Sequence, residues 1–319
     1  VPLAPDSTGR GVTVRVPAKV NLALDVGPRR PDGYHELRTV YQAVGLVDAV
    51  TVCAAAGPAC TVVDAAGAPV PGVPAGPGNL ALRAVGALAA RTGQDPAVRI
   101  DIVKGIPVAG GMAGGSADAA GALTAAAALW GLDDAALLAD VAAGLGSDVP
   151  FLLAGGTALG TGRGERVEPV PCPGAYDWVL AVADGGLATP EVYAAFDRLP
   201  APQGTTGAVG SGGSEAVLAA LATADPVALG RALSNDLQPA ALALRPALAA
   251  VLEQGRALGA LGGVVSGSGP TVAFLAASPQ AAADLAAGLL AAGLCARAHV
   301  ARGPVPGARV AVPVAAGER

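Results

Sequence analysis

The chain predicts an α+β protein arranged as two domains around a cleft, and three observations carry that expectation. Its 319 residues exceed the ~250 to 300 at which one hydrophobic core usually stops growing. The first half reads as a strand, then a glycine-rich loop, then a helix. From about Val167 onward the pattern changes to short strands scattered among helices rich in Ala and Leu. The expected division is residues 1–166 and 167–319, with the final strand packing back on the first domain.

The elements follow from local patterns. Val12, Val14 and Val16 alternate with other residues as in a half-buried strand, and Val20, Leu22 and Leu24 continue the period after Pro17, which suggests an opening hairpin or pair of strands. Gly78, Asn79 and Leu80 open a helical run to Ala90. Residues 98–103 form a strand leading through Pro107 into the glycine loop, and the Ala-rich helix after it meets no breaker before Gly131. A second helical pattern covers 133–143, and Asp148 then falls on a turn before the apolar run 151–153. In the second half, strands are expected at 178–183, 264–265, 271–275 and 310–314, and helices at 214–223, 241–257 and 279–292. Between them, residues 200–213 carry Pro, Gly, Thr and Ser, as in a mobile surface loop.

Composition removes several classes of function. Hydrophobic residues make up 52% but aromatics only 3%, so the apolar character is largely alanine. The longest apolar runs, 119–129 and 285–298, are short and interrupted by Gly or Arg, and no transmembrane span is expected. Residues 1–9 have neither the basic start nor the apolar core of a signal peptide, so a cytoplasmic protein is the simplest expectation. A net charge of −5 disfavours nucleic acids and anionic membranes as partners, which require a basic footprint. Cys53, Cys60, Cys172 and Cys295 form no C-x-x-C pair and lie far from His35 and His299 in sequence; they read as inert thiols. The oligomeric state is left open between monomer and homodimer.

The richest stretch is Gly110, Gly111, Met112, Ala113, Gly114, Gly115, Ser116. Glycines let the backbone approach a ligand closely and take positive φ, and the unpaired N–H groups of a first helical turn attract an anion. Ser116 is a candidate N-cap whose hydroxyl could serve a phosphate or a metal ion instead. Alone, the loop reads equally well as an ordinary turn in a chain with 46 glycines. Lys19 and Lys104 are the only lysines against 18 arginines, and Asn21, Asn79 and Asn235 the only asparagines, so each carries more information than usual. Lys19 lies in an otherwise uncharged stretch, an odd place for a solvating charge. Lys104, beside a predicted strand end, is expected on the surface.

A Walker A loop needs Gly-Lys-Ser/Thr, and neither lysine follows a glycine; a dinucleotide fingerprint needs G-x-G-x-x-G, whereas this loop reads G-G-x-x-G-G. The loop instead resembles the second motif of the GHMP small-molecule kinases. Pro17, Ala18, Lys19, Val20, Asn21, Leu22 resembles the first motif of that family, and Ser266, Gly267, Ser268, Gly269, Pro270 the third. Residues 29–37, which include Asp32, Gly33, Tyr34 and His35, and residues 145–151 resemble the members whose substrate carries a cytidine diphosphate group. The resemblance covers nearly the whole chain and takes in all three asparagines. Met112 and Ala113 stand where the family more often has Leu and Gly.

The resemblance implies a two-domain fold, ribosomal protein S5 domain 2-like in the N-terminal part and ferredoxin-like in the C-terminal part. It implies transfer of the γ-phosphoryl group of ATP, with Mg2+, to a tertiary hydroxyl of a small molecule in non-mevalonate isoprenoid synthesis. Asp148 matches the base and Lys19 its partner, an ammonium able to orient the carboxylate and to stabilise charge on the reacting oxygens; the alternative for this pair is a buried ion pair that only fixes the fold. Asn79, Lys104, Pro107, Val108, Ala109, Gly110, Gly111, Met112, Ala113, Gly114, Gly115 and Ser116 match the nucleotide side, with Ser116 the metal candidate. Asn21, Asp32, Tyr34, His35, Tyr193, Ser266, Gly267, Ser268 and Gly269 match the substrate side, where tyrosine can stack on the pyrimidine and His35 can bond its edge; Tyr193 reads also as plain core. His299 has no such context. The competing expectations are a mevalonate-type or homoserine kinase, and a non-catalytic nucleotide sensor.

Overall fold

In the computed structural model, residues 11–183, 185–199 and 212–311 are described. The chain opens with β1 (Gly11–Arg29) and β2 (His35–Ala54), one long antiparallel hairpin. Then come β3 (Ala59–Asp64), α1 (Leu80–Thr92), β4 (Val98–Lys104), α2 (Gly114–Trp130), α3 (Ala135–Leu145), α4 (Val149–Ala154), β5 (Thr157–Gly162) and β6 (Arg166–Pro169). The second half adds β7 (Tyr176–Val182), α5 (Thr189–Phe196), α6 (Gly213–Thr223), α7 (Pro226–Ala232), β8 (Ser234–Asn235), α8 (Gln238–Leu244), α9 (Ala247–Ala257), β9 (Gly262–Val265), β10 (Val272–Ala276), α10 (Pro279–Ala291), β11 (Arg297–Gly303) and β12 (Arg309–Val310).

Two sheets result. The larger has the order β12-β1-β2-β4-β3, with β5 and β6 extending from β2 and β8 lying parallel to β1; the smaller is the antiparallel β11-β7-β10-β9. β8 and β12 come from the second half yet pair with β1 in the larger sheet. Residues 16–26 of β1 are buried without interruption, because α2 covers one face of the sheet while β11 and α6 pack on the hairpin. Pro17 does not end the strand, as its period suggested. A register shift between Pro17 and Ala18 absorbs the missing N–H, and β1 runs on to Arg29.

Helix starts follow side-chain caps where these are present. Asn79 caps α1 by accepting from Ala81 N at 2.8 Å, and Asp134 caps α3 by accepting from Leu137 N at 2.9 Å. The small residues of α2 bring it onto the sheet: a Cβ at Gly121 would lie 2.8 Å from Val50 Cγ2. Ser116 is not the cap of α2. The helix begins two residues earlier, at Gly114, with Ala113 in the cap position at φ 59° and no side-chain bond. The single helix expected over 241–257 is two, because Pro246 lacks an N–H and drives the residue before it out of the helical region. The strand expected at 310–314 is described only as far as residue 311, and the loop expected at 200–213 and the start of the chain fall almost entirely outside the described residues. No helix among the described residues is long and apolar enough to cross a membrane.

Candidate active site

A cleft of about 720 Å³ opens between the β1–β2 hairpin, the glycine loop, the β9–β10 turn and α5. Its wall includes Lys19, Asn21, Tyr34, His35, Ala109, Gly110, Gly111, Ala113, Gly114, Gly115, Ser116, Asp148, Tyr193, Gly267, Ser268 and Gly269, so residues from all three motifs converge on one space. Asp32, Asn79, Lys104, Pro107, Val108, Met112 and Ser266 are not on that wall.

The reacting end is built on strand periodicity. Residues two apart on β1 share a face, so Asn21 stands beside Lys19 and receives its Nζ at 2.6 Å. Asn21 Nδ2 donates to Thr39 Oγ1 at 2.8 Å, and Thr39 donates onward to Ala23 O at 2.7 Å. The ammonium also lies 5.8 Å from the centre of the Tyr41 ring. Asp148 sits on the turn before α4, as expected, and its side chain makes no capping bond. Among the described residues no ion pair joins Lys19 to Asp148: the lysine is taken by Asn21, its neighbour on the same strand face. Two buried phenols lie near Asp148, and both are pushed up. Burial raises Tyr41 and Tyr193 first, and the carboxylate charge adds to both, so the two stay neutral hydroxyls.

The glycine loop is pinned against the β9–β10 turn. A Cβ on Gly111 would fall 2.4 Å from Ser266 O and 2.8 Å from Gly269 O, and Ser266 Oγ donates to Gly111 O at 3.3 Å. Gly267, at φ 57°, packs under Lys19 and Asn21: its Cβ position lies 3.2 Å from Lys19 Nζ. Asn235 holds that turn from below, donating to Val265 O and Gly267 O at 2.7 Å each. Ser268 shares a hydrogen bond of 2.9 Å with Thr189 of α5. The loop opens into α2 with Gly114, Gly115 and Ser116 on the cleft, so the unpaired N–H groups of the first turn face the space.

Several residues stand elsewhere than the sequence suggested. Lys104 is not a surface residue but 8% exposed, donating to Asp48 Oδ2 at 2.5 Å and to both oxygens of Asp118 at 2.9 and 3.0 Å. Burial alone would lower this ammonium, but Asp118 and Asp48 outweigh it and raise it. Burial pushes Asp118 up to about 7; Lys104 pulls it down and Asp48 adds to the rise. Asn79 is spent on structure, its Oδ1 capping α1 and its Nδ2 donating to Pro74 O. Asp32 shapes the turn between β1 and β2, accepting from Tyr34 N at 3.1 Å and pairing with Arg30. Met112 is 1% exposed, so its departure from the family's leucine is a matter of core packing.

At the far end of the cleft, Tyr34 is 55% exposed with the Arg163 guanidinium 5.1 Å from its ring centre. His35 is buried against Tyr193, ring centres 5.3 Å apart and nearly parallel, with Phe196 edge-on. Its Nδ1 bonds Gly27 O at 2.9 Å and its Nε2 faces Asp197 at 3.1 Å, so neither ring nitrogen is left for a ligand's edge. Arg163, Asp197, Thr189 and Tyr41 line the cleft without having been singled out in the sequence. Arginine is abundant here and carries little signal, and nothing local in the sequence places Asp197 beside His35, 162 positions away. His299 lies half-buried on β11, away from the cleft, with Nε2 unpartnered.

The cleft thus brings together the glycine-rich start of a helix, an ammonium and a carboxylate facing one opening, and an aromatic end wall. Residues 79–156 match the GHMP kinases N terminal domain and residues 217–293 the GHMP kinases C terminal domain. The chain belongs to the GHMP kinase family. It is 54% identical over 308 residues to the 4-diphosphocytidyl-2-C-methyl-D-erythritol kinase of Salinispora tropica, covering 94% of each chain. It is 55% identical to the protein of the same name from Streptomyces avermitilis, covering 94% of this chain and 99% of the relative. A crystal structure of 4-(cytidine 5'-diphospho)-2C-methyl-D-erythritol kinase superposes with a TM-score of 0.71 at 35% identity, over 91% of this chain and 98% of that one. The homoserine kinase of Cytophaga hutchinsonii superposes with a TM-score of 0.74 over 97% of this chain and 100% of its own, but at 20% identity that likeness speaks to the fold alone.

Proposed function

We infer that the chain is an ATP-dependent kinase that phosphorylates the 2-hydroxyl of 4-(cytidine 5'-diphospho)-2-C-methyl-D-erythritol, a step in non-mevalonate isoprenoid precursor synthesis. The observation that carries the mechanism is that Lys19 and Asp148 line the same cleft into which the start of α2 opens. With the ATP phosphates on the N–H groups of residues 110–116, the acceptor hydroxyl lies between the ammonium and the carboxylate. Its oxygen forms a bond to the γ-phosphorus as the bond from that phosphorus to the bridging oxygen of ADP breaks, and the hydroxyl proton passes to Asp148. Such transfers depend mainly on positioning and on stabilising charge, and Lys19 supplies charge where the oxygens develop it. Tyr34 and Tyr193 form the cytidine end, with Tyr34 offering an exposed ring face.

Among the described residues no group of three or more His, Cys, Asp or Glu could hold a metal ion, and the carboxylate of Asp118 is engaged by Lys104. Mg2+ would arrive with the nucleotide and shield its phosphates, with Ser116 as the one hydroxyl of the loop able to reach it. A cytoplasmic location suits substrates of this kind. The deciding experiment is an ADP-release assay with the cytidine diphosphate substrate beside mevalonate and homoserine. Turnover confined to the first is expected. Turnover of either other alcohol would reassign the substrate, and none at all would leave a nucleotide-binding protein without this activity.

A further inference from the structure

The three side chains beneath the glycine loop are not used by the reaction, yet every bond they make to the backbone falls on one of the loop's two ends. Asp48, fully buried on β2, accepts from Gly105 N at 2.7 Å and Ile106 N at 2.8 Å, where the chain leaves β4. Lys104 donates to Gly114 O at 3.2 Å, where the chain enters α2, and to Asp118 one turn further along. Lys104 also bonds Asp48, so the entry and exit of the loop are tied through a single ammonium.

We propose that Asp48, Lys104 and Asp118 form a positioning latch that fixes the separation of the loop's ends and so presents its N–H groups to a nucleotide's phosphates; this rests on the assignment of that loop as the ATP site. Two features argue for positioning over stability alone. Buried ionic clusters stabilise folds weakly, and apolar residues of the same volume would serve as well or better. The segment between the two ends also resists its own conformation, since Ala109 at φ 55° and Ala113 at φ 59° occupy the left-handed region that a side chain disfavours. A strained loop keeps one shape only when its ends are held.

The test compares Asp118→Ala, which removes both carboxylate oxygens that Lys104 reaches on α2, with Asp118→Asn, which keeps the volume and one acceptor. Calorimetry with MgATP should show Kd raised about tenfold or more in the alanine variant, as expected for losing a charge-assisted bond, and largely recovered in the asparagine variant. KM for the alcohol substrate should stay within about twofold. A folded Asp118→Ala with unchanged ATP affinity, or with equal losses for both ligands, overturns the latch. If the alanine variant does not fold, hydrogen exchange without nucleotide decides on Asp118→Ser, which keeps a hydroxyl but no carboxylate: amides of residues 105–117 must exchange faster than in the parent while those of β9 and β10 do not change, and equal rates reject the proposal. Failure of the parent protein to bind MgATP at all would refute the nucleotide assignment instead, and the exchange result would still judge the latch.

Discussion

The two ends of the cleft are built on opposite principles. At the glycine loop, buried polar side chains hold the backbone: Asn21, Thr39 and Lys19 form one chain of hydrogen bonds, and Lys104 with two aspartates forms another. At the far end, Tyr34 stands largely in solvent against an arginine, on a turn kept by the exposed pairs of Arg30 with Asp32 and Glu36. The difference follows from what each end would have to do. A phosphoryl group in transit needs charges fixed in advance and shielded from water, where they act most strongly. A flat base needs a face to lie on, and stacking tolerates motion. Substitutions at Lys19 and Asp148 should therefore change rate, those beneath the glycine loop affinity for the nucleotide, and those at the second end affinity for the substrate.

The sharpest way to break this contrast is Asp148→Asn. The amide keeps the size of the side chain but cannot take the hydroxyl proton, and kcat should fall by roughly 10²- to 10⁴-fold, the range typical of general acid-base catalysis. ATP affinity should change little, because in the proposed reaction the carboxylate serves the acceptor hydroxyl and not the phosphates. Near-parental turnover in a folded variant, measured by ADP release, would remove Asp148 from the reaction and leave the loop end as a binding site only.

A smaller effect is expected at the aromatic end, where two neighbouring residues differ in a telling way. Tyr34→Ala removes an exposed ring and should raise KM for the cytidine substrate by roughly tenfold, consistent with ~1 to 3 kcal/mol per stacked base, with stability within about 0.5 kcal/mol of the parent. His35→Ala removes a buried ring packed on Tyr193 and Phe196 and bonded on both nitrogens. It should weaken the same substrate and also lower stability by about 2 kcal/mol or more, since it leaves a cavity and frees a buried carbonyl. Substrate titrations beside urea melts of both variants give the comparison. Equal stability losses would show that Tyr34 is core after all, and a loss of ATP affinity in either would place the aromatic end at the nucleotide.

What was legible in the sequence divides along the same line. Elements with strong local signals stood out: the helix opening at residues 78–80, the strand into the glycine loop, and the helix ending at Gly131, which takes the left-handed C-cap. Lys19, Asn21 and Asp148 stood out because lysine and asparagine are scarce and because their surroundings match the family. Relations created only by folding were not legible. Lys104 looked like a strand-end surface charge because its two carboxylate partners lie 56 and 14 residues away, one on another strand and one inside an Ala-rich helix. The bond of His35 to Asp197 is hidden in the same way. The 20-residue span of β2 was also missed, since its mixture of charged and apolar residues breaks any simple period while β1, β4 and β5 supply partners along its length.

The smallest expected effect separates the loop's geometry from its support. Ala109 and Ala113 both take left-handed φ, which costs an ordinary residue roughly 1 to 2 kcal/mol relative to glycine. Glycine gives part of that back through the greater freedom of the unfolded chain, about 0.4 to 1 kcal/mol. Ala109 is exposed, so Ala109→Gly sacrifices no buried methyl and should raise stability by about 0.5 to 1 kcal/mol, or on the order of 1 to 3 °C in Tm. Ala113 packs its methyl against the core, and Ala113→Gly should gain less, because a buried CH₂-sized group is worth about 0.8 kcal/mol. The order of the two variants in thermal melts is thus the test of the loop's geometry. If the latch sets the loop's shape, both should also keep ATP affinity within about twofold, since relieving strain between two fixed ends leaves the ends where they were. A lower Tm for Ala109→Gly would mean that the left-handed turn at that position is not held in solution. A tenfold loss of ATP affinity without a change in Tm would mean that the alanines, and not the buried charges beneath them, keep the loop in its binding shape.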